Sequence, residues 1–467
     1  MDSQHKSILI LNHDCLLSIF SYLDIREVIT MEEVCTKFRT IAEMSYPSFR
    51  ELNYDELAEA EDEPIPLQLA KQIAKRVGPY ARVLVVSKSS FRMKGNAIPL
   101  SVLNYFTNLE GIQFTEFDIL TRPSLKRFTE IFKTIQHVSL ERCNYTDSIG
   151  MCFTNATQLE FLQLNGNKNL TGVCLQSLRG LTKLKHVDLS ECASLEPGYF
   201  AEFCRNNPQL QSLSIVGCDT LNESSLSTIA TIVLNVNALG ISDHYHGAND
   251  SSFEKLANLP KLTKIDVKYS FPRDYDNLRL FWAKMHHRLE WIMIISHLKV
   301  FRKDFYESTL KELRYFTKLE ALKLYHMNNC NDSTLATLSC NNTLKKLCVV
   351  DCCSVSPRGL REFIMKCPSL DYINLSQNPQ YGDEFLIDLE IHLKDRPGLL
   401  ELCVNDTPIH EYIKSDSKRA FIAQFYFNNK GRIELSWHPP SSREPPVSIV
   451  PQVLRMFEME LNECSVC

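Results

Sequence analysis

The chain has 467 residues and carries 51 Lys+Arg against 56 Asp+Glu, a formal net charge of −5. That balance argues against the basic stripe of a nucleic-acid-binding chain, and no apolar run approaches the roughly 20 residues of a transmembrane segment. Of the 17 cysteines none is preceded by a secretory leader, because Ile8-Leu9-Ile10-Leu11 is too short an apolar run, so reduced thiols in a cytoplasmic and/or nuclear protein are expected.

The first predicted elements are helices. Asp14 is placed to cap a helix whose Leu16, Ile19, Phe20 and Leu23 form one apolar stripe. A second helix is expected to carry Met31, Val34, Cys35 and Phe38 at three- and four-residue spacing. So small a helical piece buries little core alone and needs a neighbour to dock against. The segments Leu11-Asn12-His13-Asp14, Ile19-Phe20-Ser21-Tyr22-Leu23 and Val34-Cys35-Thr36-Lys37-Phe38-Arg39 resemble an F-box, assigned to residues 5–48. Asn12 stands where that family usually has proline, and Phe38 where it usually has tryptophan. The resemblance implies that Leu11, Asn12, Ile19, Phe20, Leu23, Val34, Cys35 and Phe38 hold a Skp-type adaptor and, through it, a cullin scaffold. The alternative is a plain cap for the repeats that follow.

From Phe49-Leu52-Tyr54 onward the chain repeats a pattern of apolar, two residues, apolar, one residue, apolar. Its first residues fall at 80, 109, 135, 159, 184, 210, 236, 262, 289, 319, 344, 370 and 399, with a weak copy at Lys430, Ile433 and Leu435. Between 135 and 262 the spacing is 24 to 26 residues, a solenoid period. The alternation predicts a short strand with one buried face. Three residues past the last apolar slot come Cys143, Asn167, Cys192, Cys218, Cys352 and Asn378, placed to turn inward and bond to backbone.

The second half of each unit reads as a helix: Tyr199, Phe200 and Phe203 precede Pro208, and Leu360, Phe363 and Ile364 precede Pro368. Leu67, Ala70, Ile73, Ala74 and Val77 give an earlier amphipathic helix, and the acidic run from Asp55 to Glu63 before it reads as a solvated loop. The whole resembles the cysteine-containing subtype of leucine-rich repeat. The expected fold is α/β: a helical F-box, then at 49–436 a right-handed leucine-rich-repeat solenoid of about 15 strand units, with a parallel concave sheet and convex helices.

Between 236 and 330 the inward slot holds His244, Ser270, His297 and Met327, and the repeats read as diverged. There the strand slots facing away from the helices bring Lys264, Asp266 and Lys268 beside Trp291, Met293 and Ile295, then Lys323 and Tyr325. That aromatic and basic composition is the one expected of an interface hot spot, here for an acidic or phosphorylated protein segment. A long loop over Trp291, the His244 to Asn249 segment, is the alternative.

The tail at 437–467 is proline-rich and is expected to be extended. It ends in Cys464-Ser465-Val466-Cys467, the frame of a prenylation box at Cys464, although Glu458, Glu460 and Glu463 upstream are acidic rather than basic. His286-His287 and His244/His246 have no carboxylate at metal-ligand spacing, and there is no glycine-rich phosphate loop. No catalytic residue, metal or cofactor is expected. The resemblance implies a non-catalytic substrate receptor of a Skp–cullin–F-box ubiquitin ligase. A scaffold or inhibitor that uses only the repeats is the other reading.

Overall fold

The computed structural model describes residues 8–59, 63–92, 99–118, 121–242, 250–269, 276–296, 310, 312–327, 330–339, 341–393, 400–404, 407–408, 422–427 and 433–438. His244, Ser270, His297, the His244–Asn249 segment and Cys464 with the tail beyond 438 lie outside the described residues. Two compact units divide the chain, residues 1–207 and 208–467.

The first unit opens with three helices, α1 (His13–Phe20), α2 (Ile25–Glu32) and α3 (Thr36–Ser45). The strand β1 (Glu51–Asn53) follows, then α4 (Tyr54–Glu59), β2 (Ile65–Pro66) and α5 (Leu67–Val77). The remaining strands are β3 (Val83–Ser87), β4 (Phe91–Arg92), β5 (Gly111–Thr115), β6 (His137–Glu141), β7 (Phe161–Gln163) and β8 (His186–Asp188). β1, β3, β5, β6, β7 and β8 pair in parallel in that order, while β2 and β4 form a small parallel pair of their own. One sheet face packs on the helices. A row of rings runs through that core, with Phe114 stacked on Phe128 at 5.7 Å, Phe128 on Phe132 at 5.5 Å and Phe132 on Phe153 at 5.3 Å.

The second unit has β9 (Ser212–Ser214), β10 (Ala238–Ser242), β11 (Lys264–Tyr269), β12 (Trp291–Ser296), β13 (Ala321–Tyr325), β14 (Lys346–Val350), β15 (Tyr372–Asn374) and β16 (Leu400–Cys403), all parallel. Then the direction changes. β17 (Ile422–Phe427) is antiparallel to β16, and β18 (Ile433–His438) is antiparallel to β17. Ile433 and Leu435 of the weak repeat copy therefore lie in an antiparallel strand, not in a parallel repeat strand, while Lys430 lies outside the described residues. Helices Pro197–Asn206 in the first unit and Pro357–Lys366 in the second stand where the proline-terminated apolar stripes predict them. Both units have the strand–turn–helix construction of a leucine-rich repeat.

Eight of the described strands end in a turn built the same way. The second residue past the last apolar slot has positive φ: Glu116 (66°), Arg142 (49°), Gly166 (71°) and Glu191 (59°) in the first unit; Gly217 (71°), His326 (56°), Asp351 (49°) and Gln377 (61°) in the second. The left-handed residue swings the next side chain inward, which is why Phe117, Cys143, Asn167, Cys192, Cys218, Met327, Cys352 and Asn378 are all buried. The polar ones bond as their position requires. Each donates to the carbonyl of the last apolar slot one repeat earlier: Cys143 Sγ to Phe114 O at 3.4 Å, Asn167 Nδ2 to Leu140 O at 2.6 Å, Cys192 Sγ to Leu164 O at 3.2 Å, Cys352 Sγ to Leu324 O at 3.6 Å and Asn378 Nδ2 to Val349 O at 2.5 Å. The amide oxygens accept in return, from Tyr145 N at 3.2 Å and Cys352 N at 2.8 Å.

Two local expectations change. The second repeat starts at Ala81, not Tyr80: Leu52 pairs with Leu84, and Leu84 and Val86 are buried while Val83 and Val85 are half-exposed. An unbroken run of Val83-Leu84-Val85-Val86 satisfies both registers, and a one-residue shift exchanges the faces. The acidic run is also partly structured. Asn53 Oδ1 accepts from Asp55 N at 3.0 Å and starts α4, and Asp55 Oδ1 accepts from Ser87 N at 2.7 Å and from the Ser90 hydroxyl. α5 stands as expected, with Ala70, Ile73, Ala74 and Val77 fully buried.

Asn378→Ala removes the Asn378 partners of two buried strand-end carbonyls and one buried N–H, and should cost about 3 kcal/mol in urea unfolding, against about 1 kcal/mol for Cys352→Ala, whose thiol is a weak donor. Burial pushes the Cys143 and Cys192 thiols up to about 12. A maleimide pulse on the native chain should therefore label the exposed Cys15 and Cys353 and spare Cys143 and Cys192 until denaturant is added.

Candidate functional site

The N-terminal module owes its shape to its caps. Asn12, rather than Asp14, caps α1, its Oδ1 accepting from Cys15 N at 2.9 Å. Asp24 starts α2 with a capping box, accepting from Arg26 N and Glu27 N while Glu27 Oε2 accepts from Asp24 N at 2.8 Å. The single helix expected across 31–38 is broken at Glu33–Cys35, because the Cys35 thiol caps α3 by accepting from Phe38 N at 3.4 Å. Lys37 Nζ donates to Leu9 O at 2.8 Å and Leu11 O at 2.7 Å, fixing the segment ahead of α1 to α3.

The eight residues nominated for adaptor binding divide into two sets. Phe20 and Phe38 are 3 % and 7 % exposed and meet edge to face at 5.6 Å, so in the unbound chain they form the module's core rather than its surface. Leu11, Leu23 and Cys35 are half-buried, while Asn12, Ile19 and Val34 are exposed. Alongside Ile19 and Val34 stand Ile8, Leu9, Ile10, Tyr22 and Met44, which the sequence reading did not nominate. These seven make up almost half of the sixteen exposed large apolar side chains among the described residues, a density that marks an interaction surface. The run Ile8-Leu9-Ile10, already visible as the first apolar stretch, was the available signal.

The module docks on the first repeat through α2. α2 packs against α5, and Glu32 Oε2 accepts from Arg76 Nε at 2.8 Å and Nη2 at 2.5 Å. Burial works to raise the Glu32 pKa, but hydrogen bonds from Arg76 and Tyr46 and the charge of Arg76 outweigh it and hold the carboxyl below its usual range.

The aromatic and basic cluster assembles as the alternation predicts. Asp266, Met293, Lys323 and Cys348 are register neighbours, as are Lys268, Ile295, Tyr325 and Val350, and Lys264, Trp291 and Ala321. It is not an open surface. Trp291, Met293 and Tyr325 are 5 %, 4 % and 5 % exposed, Lys323 is 2 % exposed with its Nζ 5.2 Å from the Trp291 ring centre, and Asp266 is buried. Lys264, Lys268 and Ile295 are half-buried. Most of the cluster is buried rather than exposed in this structure.

The corresponding face of the first unit is different. Gln113, Ser139, Gln163 and Asp188 are register neighbours along its middle, and Gly111, His137, Phe161 and His186 along its edge. Gln113, His137, Glu141, Gln163 and His186 are all half-exposed. Ser139 Oγ lies 3.1 Å from both Glu141 Oε1 and Gln163 Oε1, and Gln113 Nε2 lies 3.4 Å from the same Glu141 oxygen. The strand pattern that nominated 264–325 could equally have found this polar row; its lack of aromatic and basic side chains hid it. No group of three or more His, Cys, Asp or Glu side chains is placed to hold a metal ion among the described residues, and no described helix is long and apolar enough to cross a membrane.

Glu32→Gln should lower stability at neutral pH by about 2 kcal/mol. Because the folded pKa of Glu32 is lowered, the contribution is complete above the ordinary glutamate range and is lost as pH falls through the folded value. Urea unfolding should accordingly show wild type and Glu32→Gln converging in acid.

Residues 8–50 match the F-box domain family. No curated protein matches the chain significantly in sequence. Among solved structures, the complex of Rad7 and Elc1 in yeast is similar over 80 % of this chain and 88 % of that one, at 12 % identity and a TM-score of 0.43. The TLR13–ssRNA13 complex is similar over 65 % of this chain and 47 % of that one, at 15 % identity and a TM-score of 0.40. The mouse RP105/MD-1 complex is similar over 71 % and 56 %, at 16 % identity and a TM-score of 0.32. The module formed by α1, α2 and α3, joined to the first repeat through Glu32 and Arg76, is an F-box domain.

Proposed function

We propose that this chain is a non-catalytic substrate receptor of a Skp–cullin–F-box ubiquitin ligase. The observation that carries the reading is an F-box domain at 8–50 that exposes large apolar side chains and is tied to the first repeat through Glu32 and Arg76. F-box domains bind Skp-type adaptors, and the cullin is reached through the adaptor. The repeats then hold a protein substrate, and ubiquitin is transferred by the conjugating enzyme that the assembly recruits. This chain contributes proximity, raising the effective concentration of a substrate lysine at the loaded enzyme. The described cysteines form no disulfide, which fits a reducing compartment, the cytoplasm or nucleus.

Affinity capture of the full chain from cells should retain a Skp-type adaptor. Ile19→Asp combined with Val34→Asp places two charges on the exposed apolar surface and should reduce retention at least about tenfold while leaving the unfolding midpoint unchanged. A wild-type chain that retains no adaptor, or a folded double variant that retains it fully, overturns the reading.

A further inference from the structure

Between Glu63 and Glu110 the sequence holds no acidic residue and seven basic ones, in a chain whose net charge is −5. That stretch supplies α5 and a short helix, α6 (Leu100–Leu103), and α7 (Arg122–Ile131) follows. α5 packs against α6, and Arg127 of α7 donates through Nη2 to Phe106 O just past α6, so the three stand side by side in the helical layer of the first unit. Their outer face exposes Lys71 and Lys75 on α5, Ser101 on α6, and Arg122 and Lys126 on α7. Glu130 is the one acidic residue in the three helices, and it is paired with Lys133 at 2.7 Å.

Folding uses some of this charge and not the rest. The arginines of the acid-free stretch are engaged, Arg76 with Glu32 at 2.5 Å, Arg82 with Glu110 and Arg92 with Glu63 at 2.6 Å. Lys71, Lys75 and Arg122 take part in no ion pair among the described residues. Lys71 and Lys75 are one helical turn apart, as are Arg122 and Lys126, and like charges at that spacing repel. Arg122 also stands in the first turn of α7, where the helix dipole disfavours a cation and no acidic residue offsets it. None of the exposed large apolar side chains lies on these three helices, so the face offers charge and uncharged polar groups alone.

We propose that the outer face of α5, α6 and α7 binds an acidic protein segment, with one group of carboxylates at Lys71 and Lys75 and a second at Arg122 and Lys126. The inference goes beyond the substrate-receptor reading and does not depend on it. A carboxylate set between two cations accepts two charge-assisted hydrogen bonds and relieves their mutual repulsion. Helices packed side by side lie about 8–10 Å apart, so α5 and α7, with α6 between them, are about 20 Å apart. About six residues of extended chain cross that distance at ~3.3 Å each. The middle of the segment needs no charge, because Ser101 and Asn104 beneath it carry none. A membrane surface would call for apolar side chains to insert, and a nucleic acid for a longer basic stripe, so both are disfavoured here.

The test uses the full chain purified with whatever adaptor it retains. Fluorescence anisotropy would compare labelled Gly/Ser peptides of about ten residues, one with paired glutamates at either end, the other with lysines in their place. The acidic peptide should bind at least about tenfold more tightly, and added salt should weaken it. Lys71→Gln with Lys75→Gln, and Arg122→Gln with Lys126→Gln, should each weaken it about threefold, and all four together about tenfold. Glutamine is as good a helix former as lysine, and an unchanged unfolding midpoint checks that these variants fold. Lys168→Gln with Arg179→Gln removes two exposed charges elsewhere in the first unit and should leave binding unchanged. An acidic peptide that binds no better than the basic one overturns the proposal. So does binding indifferent to the fourfold variant, or weakened as much by the Lys168 and Arg179 pair. Tighter binding of a single-stranded oligonucleotide or of phosphatidylserine vesicles overturns it as well. Adaptor retained without acidic-peptide binding sinks this inference alone. Acidic-peptide binding without adaptor sinks the ligase reading alone.

Discussion

Five of the repeat turns hang on one donor each. The side chain after the left-handed residue reaches back to the last strand carbonyl of the preceding repeat, as Asn167 does to Leu140 and Asn378 to Val349. That carbonyl is buried at the point where the strand ladder stops, and left unpaired it would cost about 1–3 kcal/mol. The left-handed conformation itself costs about 1–2 kcal/mol for a residue with a Cβ, such as Arg142 or Asp351. Glycine removes that cost at 166 and 217. The turn is held because the bond it enables is worth more than the strain. With one repeat pinned to the next at this carbonyl, the strands keep register, and the side chains between the apolar slots line up in rows. Any function of the sheet face follows from those rows.

The F-box divides its apolar side chains between two tasks. Leu16, Phe20, Val28, Phe38, Ile41 and Ala42 hold three short helices together, none of which would be stable alone. Ile8, Leu9, Ile10, Ile19, Tyr22, Val34 and Met44 keep their side chains exposed. A charged contact fixes the module to the first repeat: Glu32 and Arg76 are 12 % and 29 % exposed as side chains, sheltered enough that the pair is more than surface decoration. The contact joins the adaptor-facing module to α5 without a flexible linker. Orientation that is built in need not be found again at each encounter.

Much of this was legible in the residues. Apolar spacing at 135–215 and 344–375 located strands, helices and the inward slot together, because there periodicity, turn chemistry and proline all agree. Where signals were degenerate the reading slipped. Val83-Leu84-Val85-Val86 allows two registers, and only pairing of Leu84 with Leu52 decides between them. Cys35 has the spacing of a helix interior, yet its sulfur caps the next helix, a role that thiols seldom advertise. Phe117 and Met327 fill the inward slot without its usual chemistry, by size alone. Phe20 and Phe38 match family positions, but a motif does not say which of its aromatics is spent on the core.

Exposure is the property that alternation cannot supply. The cluster of Trp291, Met293, Lys323 and Tyr325 has the composition of a hot spot, yet aromatic, thioether and stacked cation are equally the materials of an interior. A lysine lying over a tryptophan satisfies both descriptions; only its 2 % exposure separates them. The face of β5–β8 has the opposite character, with little to attract attention in the residues and much surface left open. Apolar anchors give affinity to many partners, whereas a row of acceptors rejects any segment that fails to supply donors, because each unmet group then stays buried and unpaired.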